Sequence, residues 1–329
     1  MSTMPCSIMM NSLLSLTLLL SLPSLEAAPQ RTPMSFPNIF IARCQEFQEV
    51  IKPELFENNP KNCSTLWYKF ASSFMYKDPC NVKSEDYQDF LNEADHYMDT
   101  KDKTMYWSGM TDFVIAYTAY SKTYTTIRDQ LAVYILKNSD VWCGQEGKPD
   151  MNFKQCPGFE NCPNSAVGAF WKQMSKHFAS KVRGTVHLML NASSPAAFRE
   201  NSIFATHELP NLNRANTPRL FVHMVSNLGS TPVEECVTGS VARLKELVEK
   251  KGMAFHCDLN NRSIRHFQCV DAADHKGCPQ EQVCPDIAHG NSQQKQQKSS
   301  GENGANSLDG VVITHLLCLF LALYRSSSV

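Results

Sequence analysis

The chain has almost no net charge. Its 31 Lys+Arg stand against 32 Asp+Glu, leaving −1, so no global field draws in nucleic acid or an anionic surface. Fourteen glycines and 17 prolines in 329 residues are too few for a collagenous or low-complexity chain. The sequence contains no G-x-G-x-x-G, Walker loop, H-E-x-x-H or G-x-S-x-G string. Rossmann dehydrogenase, zincin and serine hydrolase chemistries therefore have no motif to rest on. Cys143, Cys156 and Cys162 have spacing that could mimic a zinc site, but no CxxC pair or HxxxH accompanies them, so no metal site is expected. No internal repeat is visible. What the chain does have is 43% hydrophobic residues, 10% aromatic residues and 13 cysteines, enough for one large core or two modest ones.

Both ends look unlike the middle. An apolar run from Leu13 to Leu22 is followed by Pro23 and the small residues up to Ala28. This predicts a secretory signal peptide over residues 1–28, cut near Ala27 or Ala28. The rival is an uncleaved anchor, but Asn11 and Ser12 interrupt the run and a bilayer core needs about 20 apolar residues. At the other end, Val311 to Tyr324 is apolar, Glu302 to Gly310 is a polar spacer, and Ser299-Ser300-Gly301 is a small triplet. That order is a GPI-attachment signal with an acceptor near Ser300, so that 311–329 would be removed and 286–310 would form a flexible stalk. The alternative for the tail is an amphipathic or spanning helix. On the GPI reading the protein sits on the outer leaflet of the plasma membrane. Cysteines on that route oxidise, so a disulfide framework is the default. Cys6 and Cys318 leave with the ends, and an odd number of cysteines then leaves at least one thiol over. Sequons at Asn62, Asn191 and Asn261 predict N-glycosylation of an extracellular surface.

The interior reads as α/β. Short helices are expected at 44–51, 63–73 and 84–95, and β structure at 104–108. Thr126 and Asp129 resemble a capping box opening a helix that presents Ile127, Leu131, Tyr134 and Ile135. Ser165 is placed to cap a helix in which Val167, Phe170, Met174 and Phe178 recur. Trp171 and Ser175 lie i, i+4 on the neighbouring column, either as a binding wall or as core. Beyond Arg183 the texture changes. Thr185–Leu190 and Arg219–Val225 are near-continuous apolar runs, as in buried parallel strands. A helix with Val241, Leu244, Leu247 and Val248 ends at Gly252, and 254–257 and 266–270 look like further strands.

Five ordered strings carry the reading further: Trp107-Ser108-Gly109, Val141-Trp142-Cys143-Gly144-Gln145, Phe170-Trp171-Lys172-Gln173-Met174-Ser175, Val186 to Asn191, and His207-Glu208-Leu209-Pro210-Asn211-Leu212. Together they closely resemble the ADP-ribosyl cyclase / cyclic ADP-ribose hydrolase family from Cys44 to about Cys278. The layout of the ends is most similar to its GPI-anchored bone marrow stromal antigen branch. The resemblance implies a helical N-terminal domain (44–100 and 126–182) and a C-terminal domain with a small central parallel sheet (101–125 and 183–285). It implies the pairs Cys44–Cys63, Cys80–Cys162, Cys143–Cys156, Cys236–Cys257 and Cys269–Cys278, with Cys284 left over. The implied substrate is NAD, needing no cofactor, and a homodimer is compatible with the family. The implied activity is cleavage of the nicotinamide–ribose bond to ADP-ribose with some cyclic ADP-ribose. A surface receptor retaining the fold with little catalysis is the alternative.

Glu208 matches the family's catalytic carboxylate and Ser175 the serine near the ribosyl centre. Trp107 and Trp171 match the tryptophans flanking nicotinamide, and Ser108 and Phe204 the diphosphate side. One position departs from the family pattern. Where many members read Thr-Leu-Glu-Asp, this chain reads Thr126-Ile127-Arg128-Asp129, putting a cation where a glutamate influences cyclisation against hydrolysis. Arg128 is thus expected to meet substrate phosphate, or Glu208 if it points inward.

Overall fold

The computed structural model describes residues 36–136 and 141–278. The signal peptide, Cys284, the stalk and the GPI tail lie outside the described residues. In chain order the main elements are α1 (Phe36–Glu46), α2 (Cys63–Ser72), α3 (Gln88–Ala94), β1 (Thr104–Ser108), α4 (Thr111–Ser121), α5 (Leu131–Ile135), β2 (Cys143–Gln145), β3 (Lys148–Asn152), α6 (Ala166–Lys181), β4 (Thr185–Asn191), β5 (Arg219–Val225), α7 (Gly239–Lys250), β6 (Ala254–Leu259) and α8 (Arg262–Val270). They fall into two compact units that divide after Tyr97, Asp129 and Phe170. The family resemblance sets the corresponding boundaries at 100/101, 125/126 and 182/183. From Trp171 onward α6 counts with the sheet unit, where its Phe178 ring packs edge-on against Tyr106 of β1 at 5.5 Å.

The first unit is helical around an aromatic core. Phe40, Phe70, Phe74, Tyr87, Phe90, Trp142 and Phe170 are essentially solvent-free. Phe70 lies 5.2 Å from Trp142, edge-to-face, and the Trp142 indole N–H donates to the Tyr87 hydroxyl at 2.7 Å. That bond satisfies both polar tips inside the core, which such burial requires. Asn62 caps α2, its side-chain oxygen accepting from the Thr65 amide at 2.9 Å. Three disulfides, Cys44–Cys63, Cys80–Cys162 and Cys143–Cys156, tie this unit together. The expected helix from Thr126 is interrupted. The Asp129 carboxylate does accept from the Thr126 amide at 2.8 Å, but only a 3-10 turn, Ile127–Asp129, results. Gln130 is then extended, and a five-residue helix restarts at Leu131.

The second unit holds a four-stranded parallel sheet in the order β1-β4-β5-β6. One face presents Tyr106 and Ser108 in register with Leu188 and Leu190, and Phe178 of α6 packs on it. The opposite face buries Met105, Met189 and Val225 against Val114 and Tyr117 of α4 and Ile264 of α8, with Trp107 and Phe267 partly covered. The expected strand at 266–270 is helix instead. Asn261 accepts from the Ser263 amide at 3.0 Å to cap α8, and Ile264 and Phe267, three apart, turn one face to the cluster. Cys236–Cys257 and Cys269–Cys278 close this unit. Among the described residues no helix is long and apolar enough to cross a membrane.

Candidate active site

Glu208 closes a π-type turn, Phe204–Glu208, that runs into the 3-10 turn Leu209–Asn211. Irregular turns of this kind hold side chains that regular helices cannot aim. Several bonds fix it. The Leu212 amide donates to the Glu208 carbonyl at 3.1 Å, Asn211 Nδ2 donates to the His207 carbonyl at 2.8 Å, and Lys251 Nζ donates to the Pro210 carbonyl at 2.8 Å. The Glu208 carboxyl is therefore held in place, and it is buried, with only 6% of the residue exposed.

Ser175, on the inner side of α6 and equally buried, donates from Oγ to Glu208 Oε1 at 3.0 Å. Burial pushes the Glu208 carboxyl up to about 8, against a smaller opposing pull from the Ser175 hydrogen bond. At neutral pH the resting carboxyl is therefore largely protonated and unlike any surface glutamate. His207, next to it, has its imidazole held below the usual range by burial, then by the charges of Lys176 and Lys172. Phe204 is fully buried with its ring 5.6 Å from that of Tyr106.

The end of β1 contributes the tryptophan. Trp107 lies on the face opposite Tyr106, where its indole N–H donates to Thr111 Oγ1 at 3.0 Å. Ser108 is buried on the Tyr106 side, and Gly109, at φ +69°, ends the strand in a conformation that suits glycine. Trp171 stands one turn before Ser175 on α6 and is half-buried. Trp107 and Ser108 lie at the C-terminal end of β1, the end at which open parallel sheets bind ligands. Arg128 sits on the 3-10 turn. The parallel bridge Thr104–Thr125 sets that turn beside β1. Its guanidinium is half-buried and makes no hydrogen bond or ion pair among the described residues. Burial lowers its pKa, and the charge that acts back on it is Asp112, not Glu208.

The structure thus joins Ser175 to Glu208 directly and sets Phe204 in the same turn. It places Trp107 and Ser108 on opposite faces of one strand end. Sequence reasoning passed over Tyr106 and Thr111, since neither lies in a motif position that signals chemistry. Among the described residues no group of three or more His, Cys, Asp or Glu side chains is placed to hold a metal. An open cavity of about 480 Å³ lies in the first unit beside the Cys44–Cys63 bridge, lined by Gln45, Gln48, Glu49, Phe56 and Lys61 among others, and contains none of these residues.

Residues 33–278 match the family model for ADP-ribosyl cyclase. The ADP-ribosyl cyclase/cyclic ADP-ribose hydrolase of Aplysia californica is 34% identical over 276 residues, covering 83% of this chain and 96% of that protein. The human ADP-ribosyl cyclase/cyclic ADP-ribose hydrolase 2 is 30% identical over 242 residues, covering 73% and 74%. Among solved structures, Aplysia cyclase complexed with substrate NGD and product cGDPR superposes with a TM-score of 0.69 at 34% identity, covering 74% of this chain and 96% of that one. Porcine CD38 complexed with a covalent intermediate, ribo-F-ribose-5'-phosphate, gives 0.64 at 30% identity, covering 70% and 97%.

Proposed function

The chain belongs to the ADP-ribosyl cyclase family, and on that premise we propose an extracellular enzyme that cleaves the nicotinamide–ribose bond of NAD. The products are nicotinamide and ADP-ribose, with a share of cyclic ADP-ribose. The observation that carries the reading is the buried Ser175–Glu208 pair on a pinned turn. Nicotinamide leaves from a pyridinium cation as a neutral ring, keeping the electron pair of the broken bond, so the leaving group needs no general acid. The ribosyl centre becomes cationic, and a desolvated carboxylate facing it supplies the electrostatic stabilisation. Water then adds to the ribosyl carbon and releases a proton, or the substrate's own adenine nitrogen adds and closes the ring.

The positive pyridinium ring also solves the protonation of Glu208. A cation brought beside a carboxyl whose pKa is about 8 favours its ionised form. Trp107 and Trp171 offer indole faces to the flat cation, worth roughly 1–2 kcal/mol each when desolvated. Ser108 and the Phe204 turn serve the diphosphate, and the Arg128 guanidinium offers it a cation.

We also assign the protein to the outer cell surface, on a GPI anchor near Ser300 and with the layout of the bone marrow stromal antigen branch. Support comes from the terminal sequences and from the sequons. Asn62 is exposed, whereas Asn191 and Asn261 are half-buried and the Asn261 amide donates to Asp258 at 2.8 Å, which makes Asn62 the best acceptor. A homodimer is proposed on family resemblance alone.

The test is incubation of residues 29–288 with NAD and chromatography of the products, beside Glu208→Gln. Wild type should release nicotinamide, and the variant should lose at least about 10²-fold in rate. A folded, oxidised wild type that releases none above background overturns the reading.

A further inference from the structure

Tyr106 is 1% exposed on β1, and its hydroxyl has no hydrogen-bond partner among the described residues. Buried hydroxyls nearly always find a partner, so an orphan in a native core calls for a specific explanation. The rest of the side chain is well packed, with Phe178 of α6 at 5.5 Å and Phe204 of the catalytic turn at 5.6 Å. Phe178 lies three residues beyond Ser175 on the same helix, and Phe204 opens the turn that Glu208 closes. The phenol ring is therefore wedged between the two elements that carry the Ser175–Glu208 pair. Glu208 is close enough to act electrostatically on the phenol, burial being the larger influence.

We propose that Tyr106 is a positioning residue for Glu208, its unpartnered hydroxyl being the reserve donor that the carboxyl engages once it ionises. In the resting state Glu208 is satisfied by Ser175 on Oε1. A neutral carboxyl gains little from a second donor, and a buried carboxylate needs one. On ionisation the Glu208 proton leaves to solvent, and a small shift of the carboxylate and the phenol, or one intervening water, closes the gap so that the Tyr106 O–H donates to the carboxylate. The inference rests on the proposed role of Glu208 and adds what sets the pH at which that role is available. The charged and titratable groups on or against the Glu208 turn are His207 within it, Lys172 and Lys176, whose charges act on that imidazole, and Lys251, which donates to the Pro210 carbonyl. Each of them is left unchanged by a substitution at position 106.

The experiment compares wild type and Tyr106→Phe in two readouts. Infrared difference spectra of the carboxyl band across pH 5–10, referenced to Glu208→Gln, read the Glu208 midpoint directly and need no activity. The pH profile of kcat/KM for nicotinamide release reads the same midpoint in function. Tyr106→Phe should raise the midpoint by roughly 0.5–1 pH unit, lowering kcat/KM at pH 7 by about 3- to 10-fold and converging on wild type by about pH 10. Melting temperature should be unchanged or higher, because an orphaned polar group is removed. Superimposable midpoints in the two proteins overturn the inference while leaving the enzyme reading intact. So does a melting temperature several degrees lower, which would make the hydroxyl a structural group. A wild type without nicotinamide release overturns the proposed function instead, and the infrared midpoints still decide the role of Tyr106.

Discussion

At Arg128 the side chain carries a full charge into a half-buried place without a bonded counter-ion, and burial depresses its pKa despite the opposing carboxylate of Asp112. A guanidinium held this way presents its donors to whatever anion enters, and a diphosphate is the anion of NAD. Arg128→Gln keeps a planar polar end and deletes the charge. It should raise the KM for NAD about tenfold, equivalent to ~1.4 kcal/mol, with kcat within about twofold. Initial-rate kinetics of nicotinamide release measure both. Arg128→Glu reverses the charge and puts in place the glutamate that the family resemblance implies, and chromatography should then show a changed ratio of cyclic to linear product. An unchanged KM in the first variant and an unchanged ratio in the second would remove Arg128 from the site.

Among the elements, the ones legible in the sequence were those whose side-chain period has a single physical explanation. β4 and β5 are continuous apolar runs because both faces of a parallel sheet are covered, and α7 shows its buried Val241, Leu244 and Val248 at helical spacing. The last five residues of α8, 266–270, read as a strand in sequence because the helix has few apolar residues and its cap, Asn261, doubles as a sequon. The hairpin β2–β3 was not seen at all, since Lys148–Asn152 is mostly exposed and shows no alternation. In the site, Glu208, Ser175 and the tryptophans were legible only as parts of family strings. Tyr106 was not, because an orphaned hydroxyl is a property of packing and leaves no mark in sequence. The hairpin also carries a test of its own. A Cβ on Gly144 would collide with the Phe74 carbonyl oxygen, a backbone atom that cannot swing aside. Gly144→Ala should therefore destabilise the protein by roughly 1–3 kcal/mol, seen as a lower melting temperature in the oxidised protein. An unchanged melting temperature would mean that β2 shifts without cost.

For the molecule as a whole, a net charge of −1 gives long-range repulsion little hold near neutrality. The pH dependence of stability falls instead on buried groups, and two of them act in opposite senses. His223 and His187 stack at 5.3 Å on β5 and β4, with Nε2 of the first 3.0 Å from Nδ1 of the second. Burial, then the charge of His187, holds His223 down to about 4 from an ordinary 6.5. The unfolded chain takes up that proton near 6.5 and the folded chain refuses it until about 4, so stability falls as pH drops through this window. Glu208 runs the other way. The folded protein keeps until about 8 a proton that the unfolded chain releases near 4.5, so stability falls as pH rises between them. The two slopes overlap between about 4.5 and 6.5, and the melting temperature should peak there, on the acid side of neutrality. Glu208→Gln should flatten the alkaline slope, gaining of the order of 5 °C over wild type at pH 8 and nothing near pH 4.5. His223→Gln keeps an amide that can donate to or accept from His187 and should flatten the acid slope, moving the peak to lower pH. Melting curves from pH 4 to 9 on the three proteins decide the matter. A wild-type maximum above pH 8, or parallel profiles for all three, would mean that neither buried group governs stability.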